Sequence, residues 1–132
     1  MKLEKIVTLA NAKVELRFRA MERSLRQTGC DLPLWVIPYD ETRFDLPPNA
    51  TWWEIPEITR WIEEFKTFPV LRKFQVLTTA NYQFVDADVI FLTNPSSTLL
   101  NRLGFVASCG HWRDANHTVT SQSEQVLSLI HI

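Results

Sequence analysis

A chain of 132 residues that is 45% hydrophobic can bury one core but not two. A formal charge of -1, with basic residues scattered through predicted helices, argues against a nucleic-acid partner, which needs a concentrated basic face. No apolar run reaches membrane-spanning length, and Met1 is followed at once by charged residues and a strand-like run, so no transmembrane segment or signal peptide is predicted and the expected location is the cytoplasm.

Lys5 to Ala10, KIVTLA, is a β-type apolar run stopped by Asn11. Val14, Phe18, Met21 and Leu25 then trace one stripe of a helix from about Ala12 to Gln27, with Gly29 as its C-terminal cap. The opposite face, carrying Lys13, Arg17, Arg19, Arg23 and Arg26, reads as solvated. Leu34 to Tyr39 is a second strand in which Pro38 disfavours a mid-sheet ladder position. Asp40 lies just past it, either as a turn aspartate or, beyond the carboxyl end of a parallel strand, as a ligand contact. Leu46 to Ile55 is a Pro-rich loop ending in two tryptophans, to which we assign only packing. Pro56 suits a first helical turn, followed by Ile58, Trp61, Ile62 and Phe65 at helical spacing. Pro69 restarts a helix with the stripe Val70, Phe74 and Leu77, whose Arg72 and Lys73 could be carried back toward the mouth of the next strand.

That strand opens the stretch around which the chain is organised, Tyr82 to Pro95, YQFVDADVIFLTNP. Tyr82, Phe84 and Val85 read as buried, and the run from Val89 to Leu92 is apolar again, so Asp86 and Asp88 are expected to be exposed at a turn between them. Period-two geometry puts both on one face. Two carboxylates this close repel and lose hydration together, which a divalent cation with hard oxygen ligands relieves. A polar turn with Asx-type hydrogen bonds is the alternative.

Beyond it, Asn94-Pro95-Ser96 reads as a turn and helix start with Leu99, Leu100 and Leu103 on the apolar side, and Phe105 to Ser108 as a strand. His111, Asp114 and His117 fit no standard zinc spacing, and Cys30 and Cys109 form no paired motif. The apolar end LSLIHI looks like a cut: we expect the natural chain to continue past about Gln125 and residues 126–132 to be an unassigned tail of artefactual origin.

The β/α order predicts an α/β fold with a mostly parallel sheet flanked by helices. Together with KIVTLAN, SLRQTGCDLPLWVIPYDE and RKFQVLTTANYQFVDADVIFLTNP, this order resembles the N-terminal, nucleotide-sugar-binding half of a GT-A-type glycosyltransferase, over about Lys2 to Trp112. The resemblance implies a transferase domain spanning 1–125 that moves a sugar from a nucleotide-diphosphate donor to an unknown acceptor, with Mn2+ or Mg2+ held by the Asp-x-Asp motif. It implies Asp88 as principal metal ligand and Asp86 as a ligand to metal and donor ribose. It puts Thr8, Ala10 and Asn11 beneath base and ribose, Asp40 near the base and Lys73 facing the donor. The half that binds acceptor and supplies a catalytic base is missing, so no catalytic residue is assigned.

Two rivals stand beside this reading. One is a truncated, non-catalytic binding or scaffold fragment, whose missing strands would leave apolar surface exposed. The other is a haloacid-dehalogenase-like phosphatase, in which Asp-x-Asp also ends an apolar strand and the first aspartate is the nucleophile. That motif normally opens the chain, and its downstream partners are not evident in order here.

Overall fold

A computed structural model of the chain describes residues 2–98. Strand β1 (Lys5–Ala10) is followed by a 3-10 turn (Ala12–Val14) and helix α1 (Glu15–Gln27), then strand β2 (Leu34–Pro38) and strand β3 (Ala50–Trp52). Helix α2 (Pro56–Glu64), a 3-10 run (Pro69–Thr78), strand β4 (Tyr82–Phe84) and the short helix α3 (Pro95–Thr98) complete the described order. The four strands form one sheet in the order β3-β2-β1-β4, and every pair is parallel. The fold is therefore α/β with a parallel sheet, as the alternating order predicts.

β1 is central and largely buried on both sides, which is why it reads as a continuous apolar run rather than an alternating one. Ile6 and Ala10 share one face with Leu34, Val36 and Ala50, and against them pack Phe18, Met21 and Leu25 of α1. Burying each of those three large side chains contributes about 1.5–3 kcal/mol before conformational entropy is set against it. Gly29, at φ 86°, ends the helix as its spacing predicts. The outer face of α1 is laced by the i,i+4 pairs Arg19–Glu15 and Arg26–Glu22.

The connection from β2 to β3 runs over the α1 face, where Phe44 meets Phe18 and Trp52 edge to face. α2 and the 3-10 run return the chain from β3 to β4. Parallel crossovers are right-handed, so progress in opposite directions from β1 brings this second connection over the opposite face. Three polar side chains fasten it there. Arg72 Nη1 donates to the Pro38 carbonyl and Gln75 Nε2 to the Trp53 carbonyl, while Lys5 Nζ reaches Thr79 Oγ1 and the Ala80 carbonyl and sits 4.5 Å above the Trp35 ring.

Several features differ from the sequence reading: Tyr82, Phe84 and Val85, read as buried, are half-buried because β4 is an edge strand of the described sheet. The loop from Leu46 to Ile55 contains β3, too short for periodicity to register but tied into the ladder opposite Leu34 to Val36. The segment after Pro69 is a 3-10 run, in which residues three apart share a face. Its buried residues are accordingly Arg72 and Gln75, while Val70, Phe74 and Leu77, the expected core stripe, are exposed. In α2 only Ile62 is buried, and Trp61 and the C-cap residue Phe65 are exposed. Cys30 is buried and free. No helix among the described residues is long and apolar enough to cross a membrane. The calls on Leu99, Leu100, Leu103, Phe105 to Ser108, Cys109, His111, Asp114, His117 and the 126–132 tail lie outside the described residues.

Candidate functional site

In an open parallel sheet, ligands collect beyond the carboxyl ends of the strands where the strand order reverses. Here the chain builds outward from β1 to β2 and β3, then returns to place β4 on the other side, so the reversal lies between β1 and β4. Asn11 follows β1 directly, and Asp86 follows β4 after Val85.

The Val85 N–H donates to the Val7 carbonyl at 2.9 Å, extending the ladder one bond past β4. The chain then turns, with the Val89 N–H reaching back to the Asp86 carbonyl at 3.4 Å. Within the turn Ala87 is 9% exposed and belongs to the core, whereas Asp86 and Asp88 on either side are exposed. Downstream, Val89 and Phe91 pack against the core while Ile90 and Leu92 point outward. The Phe91 N–H donates to Ser24 Oγ at 2.9 Å, and that hydroxyl donates to the Met21 carbonyl of α1. The doublet thus sits on a strap fastened to β1 before it and to α1 after it.

Across β1, Asn11 and Asp40 are brought together. Asn11 is 8% exposed; its Oδ1 accepts from the Lys13 N–H and caps the 3-10 turn, and its Nδ2 donates to Asp40 Oδ2 at 2.9 Å. Asp40 Oδ1 accepts from both the N–H and the hydroxyl of Thr42, an Asx turn, and the same hydroxyl receives the Ala12 N–H. The Thr42 hydroxyl above all, with smaller help from the Thr42 N–H, Asn11 and the Lys13 charge and against a partial desolvation, holds the Asp40 carboxyl below the usual carboxylate range.

The other predicted positions fall differently. Thr8 and Ala10 are buried on the α1 face of β1, so their side chains offer no surface to a ligand; Thr8 Oγ1 has no hydrogen-bond partner among the described residues. Lys73 is exposed. Its neighbour Arg72 is buried and reaches the carboxyl edge, at Pro38, which pairs with Ala10. The signal that separates them is the three-residue spacing of Arg72 and Gln75, visible only once the segment is read as 3-10.

Among the described residues no group of three or more His, Cys, Asp or Glu side chains is placed to hold a metal. Asp86 and Asp88 nevertheless suit a hard cation that takes its remaining ligands from phosphate and water: both are carboxylates, both are exposed, and neither side chain is engaged in an ion pair among the described residues. Comparison of the chain with protein-family models, curated proteins and solved structures gave no match.

Proposed function

We propose that this chain is the donor-binding part of a GT-A-like glycosyltransferase, taking a nucleoside diphosphate sugar together with Mn2+ or Mg2+. The observation that carries the reading is the exposed Asp86 and Asp88 doublet, fixed by a buried Ala87 beside the reversal of strand order. In this role Asp88 is the principal metal ligand, and Asp86 serves both the metal and the donor ribose. Asn11 and Asp40 lie toward the base and ribose, the backbone of Thr8 and Ala10 forms the floor, and Lys73 faces the donor. A bound divalent cation supplies Lewis-acid neutralisation of the departing diphosphate.

Calorimetry with UDP and GDP, with and without MnCl2, tests it. Binding is expected to require the metal and to weaken more than tenfold in Asp88→Ala. Binding whose strength and metal dependence survive that substitution refutes the assignment.

A non-catalytic association module is the second reading, favoured by one observation. Trp61, Phe65, Phe68, Phe74 and Leu77, on α2, the link after it and the 3-10 run, are all exposed, Leu77 to 77%. Sedimentation of the chain as a concentration-dependent dimer, with no nucleotide binding, would favour it.

A further inference from the structure

Arg72 is 6% exposed, yet no carboxylate pairs with it among the described residues. Among the described residues its one hydrogen bond is from Nη1 to the Pro38 carbonyl, at 3.1 Å. Nε is sealed from solvent and has no acceptor among the described residues, where Nη2, which is not sealed, makes no hydrogen bond either. Arginine does not shed its proton to escape such a setting. A buried charge without a counter-ion is costly, and one backbone carbonyl compensates it poorly. If pinning the 3-10 run to β2 were all that is required here, a neutral donor would meet the need, as Gln75 does at Trp53.

The location narrows the missing partner. Pro38 closes β2 and pairs with Ala10 at the end of β1, so the guanidinium stands at the carboxyl edge of the sheet, on the β2 side of the central strand. The carboxylates of Asp86 and Asp88 follow β4, on the other side of β1. We infer that Arg72 is an anion-binding residue whose free guanidinium edge takes a phosphate oxygen, from a nucleoside diphosphate or from free phosphate. The anion site stands on the burial and hydrogen bonding of Arg72; naming its occupant as a nucleoside diphosphate rests on the glycosyltransferase reading. Guanidinium and phosphate match in charge, and Nη2, the nitrogen that is not sealed, is the one that meets the phosphate oxygen. A cation on one side of β1 and a metal-ligating doublet on the other hold a diphosphate from two directions.

The test uses the full chain and inorganic pyrophosphate in EDTA, against sodium chloride at matched ionic strength. Pyrophosphate is expected to raise the Tm of the unaltered protein by several degrees and to shift the Arg72 Nε–H resonance. Arg72→Gln, which can still reach a backbone carbonyl, is expected to weaken pyrophosphate at least tenfold, and Arg72→Lys to retain part of the affinity. A merely structural arginine predicts lower stability in Arg72→Gln with an unchanged response to pyrophosphate, and that outcome overturns the inference. Absence of both the Tm shift and the resonance shift in the unaltered protein also overturns it, whether or not the variants fold. UDP and GDP with MnCl2 separate the two claims. Arg72-dependent pyrophosphate binding without nucleotide binding supports the anion site and assigns it to free phosphate, removing the glycosyltransferase reading. Metal-dependent UDP binding undiminished in Arg72→Gln leaves that reading standing and removes Arg72 from it.

Discussion

Replacing Asn11 by alanine removes two interactions at once, and the structure sets the size of the loss. The first is the N-cap on the Lys13 N–H, worth about 1 kcal/mol. The second is the bond to Asp40 Oδ2, which is charge-assisted but half-exposed, and Asp40 keeps its two bonds from Thr42. About 1 kcal/mol is a fair share for it. Together they predict a loss of about 2 kcal/mol, or a fall in Tm of roughly 10 °C for a domain of this size. Urea denaturation should show a lower midpoint at unchanged slope. Asn11→Asp separates the two contributions. It retains the capping oxygen but replaces the donor with a second carboxylate where Asn11 now stands 2.9 Å from Asp40. At pH 7 the repulsion destabilises the fold. The paired carboxyls then bind a proton more readily folded than unfolded, so stability returns as pH falls below the raised value of the pair and is lost as pH rises through it. An Asn11→Asp protein as stable as the unaltered one at pH 7, with a flat profile from about pH 7 to pH 5, would refute this account of the Asn11–Asp40 contact.

Phe18 is fully buried between α1 and the sheet and meets Phe44 at 5.2 Å, so Phe18→Ala should cost about 3–5 kcal/mol in urea denaturation; less than about 1 kcal/mol would mean the core is not packed as described. The depressed Asp40 carboxyl contributes stability above the unfolded value of ~3.9 that is lost as pH falls through its lower folded value. Asp40→Asn should therefore be less stable than the unaltered protein at pH 7 and lose less on acidification to about pH 3, measured by denaturant midpoints at each pH.

How much of this was legible in the chain depends on whether a segment's burial followed its local period. Lys5 to Ala10 is apolar on both faces because it is central, and Phe18, Met21 and Leu25 lie at helical spacing because α1 covers one face; both could be read directly. Asp86 and Asp88 were legible as exposed because their flanks are apolar. The run after Pro69 was not, since its apolar residues follow a helical period while its backbone follows a period of three, turning Arg72 and Gln75 inward. Polar residues win that face because the carbonyls of Pro38 and Trp53 need donors, a demand that exists only after the sheet has formed. The pairing of Asn11 with Asp40 is of the same kind, joining residues 29 apart through the parallel register of β1 and β2. β3 escaped because three residues carry no period, and its pairing with β2 is what makes it a strand.

Ala87 gives the acidic doublet a height above the sheet. Its methyl group is seated in the core while both neighbours stand in water, so the middle position of the motif acts as a peg whose length sets how far the two carboxylates project. A longer side chain there could not enter the same close-packed space and would lift Asp86 and Asp88 together, keeping both charges but changing where they meet. The residue without chemistry is thus the one that calibrates the pair, and the volume allowed to it is dictated by the buried core rather than by any ligand.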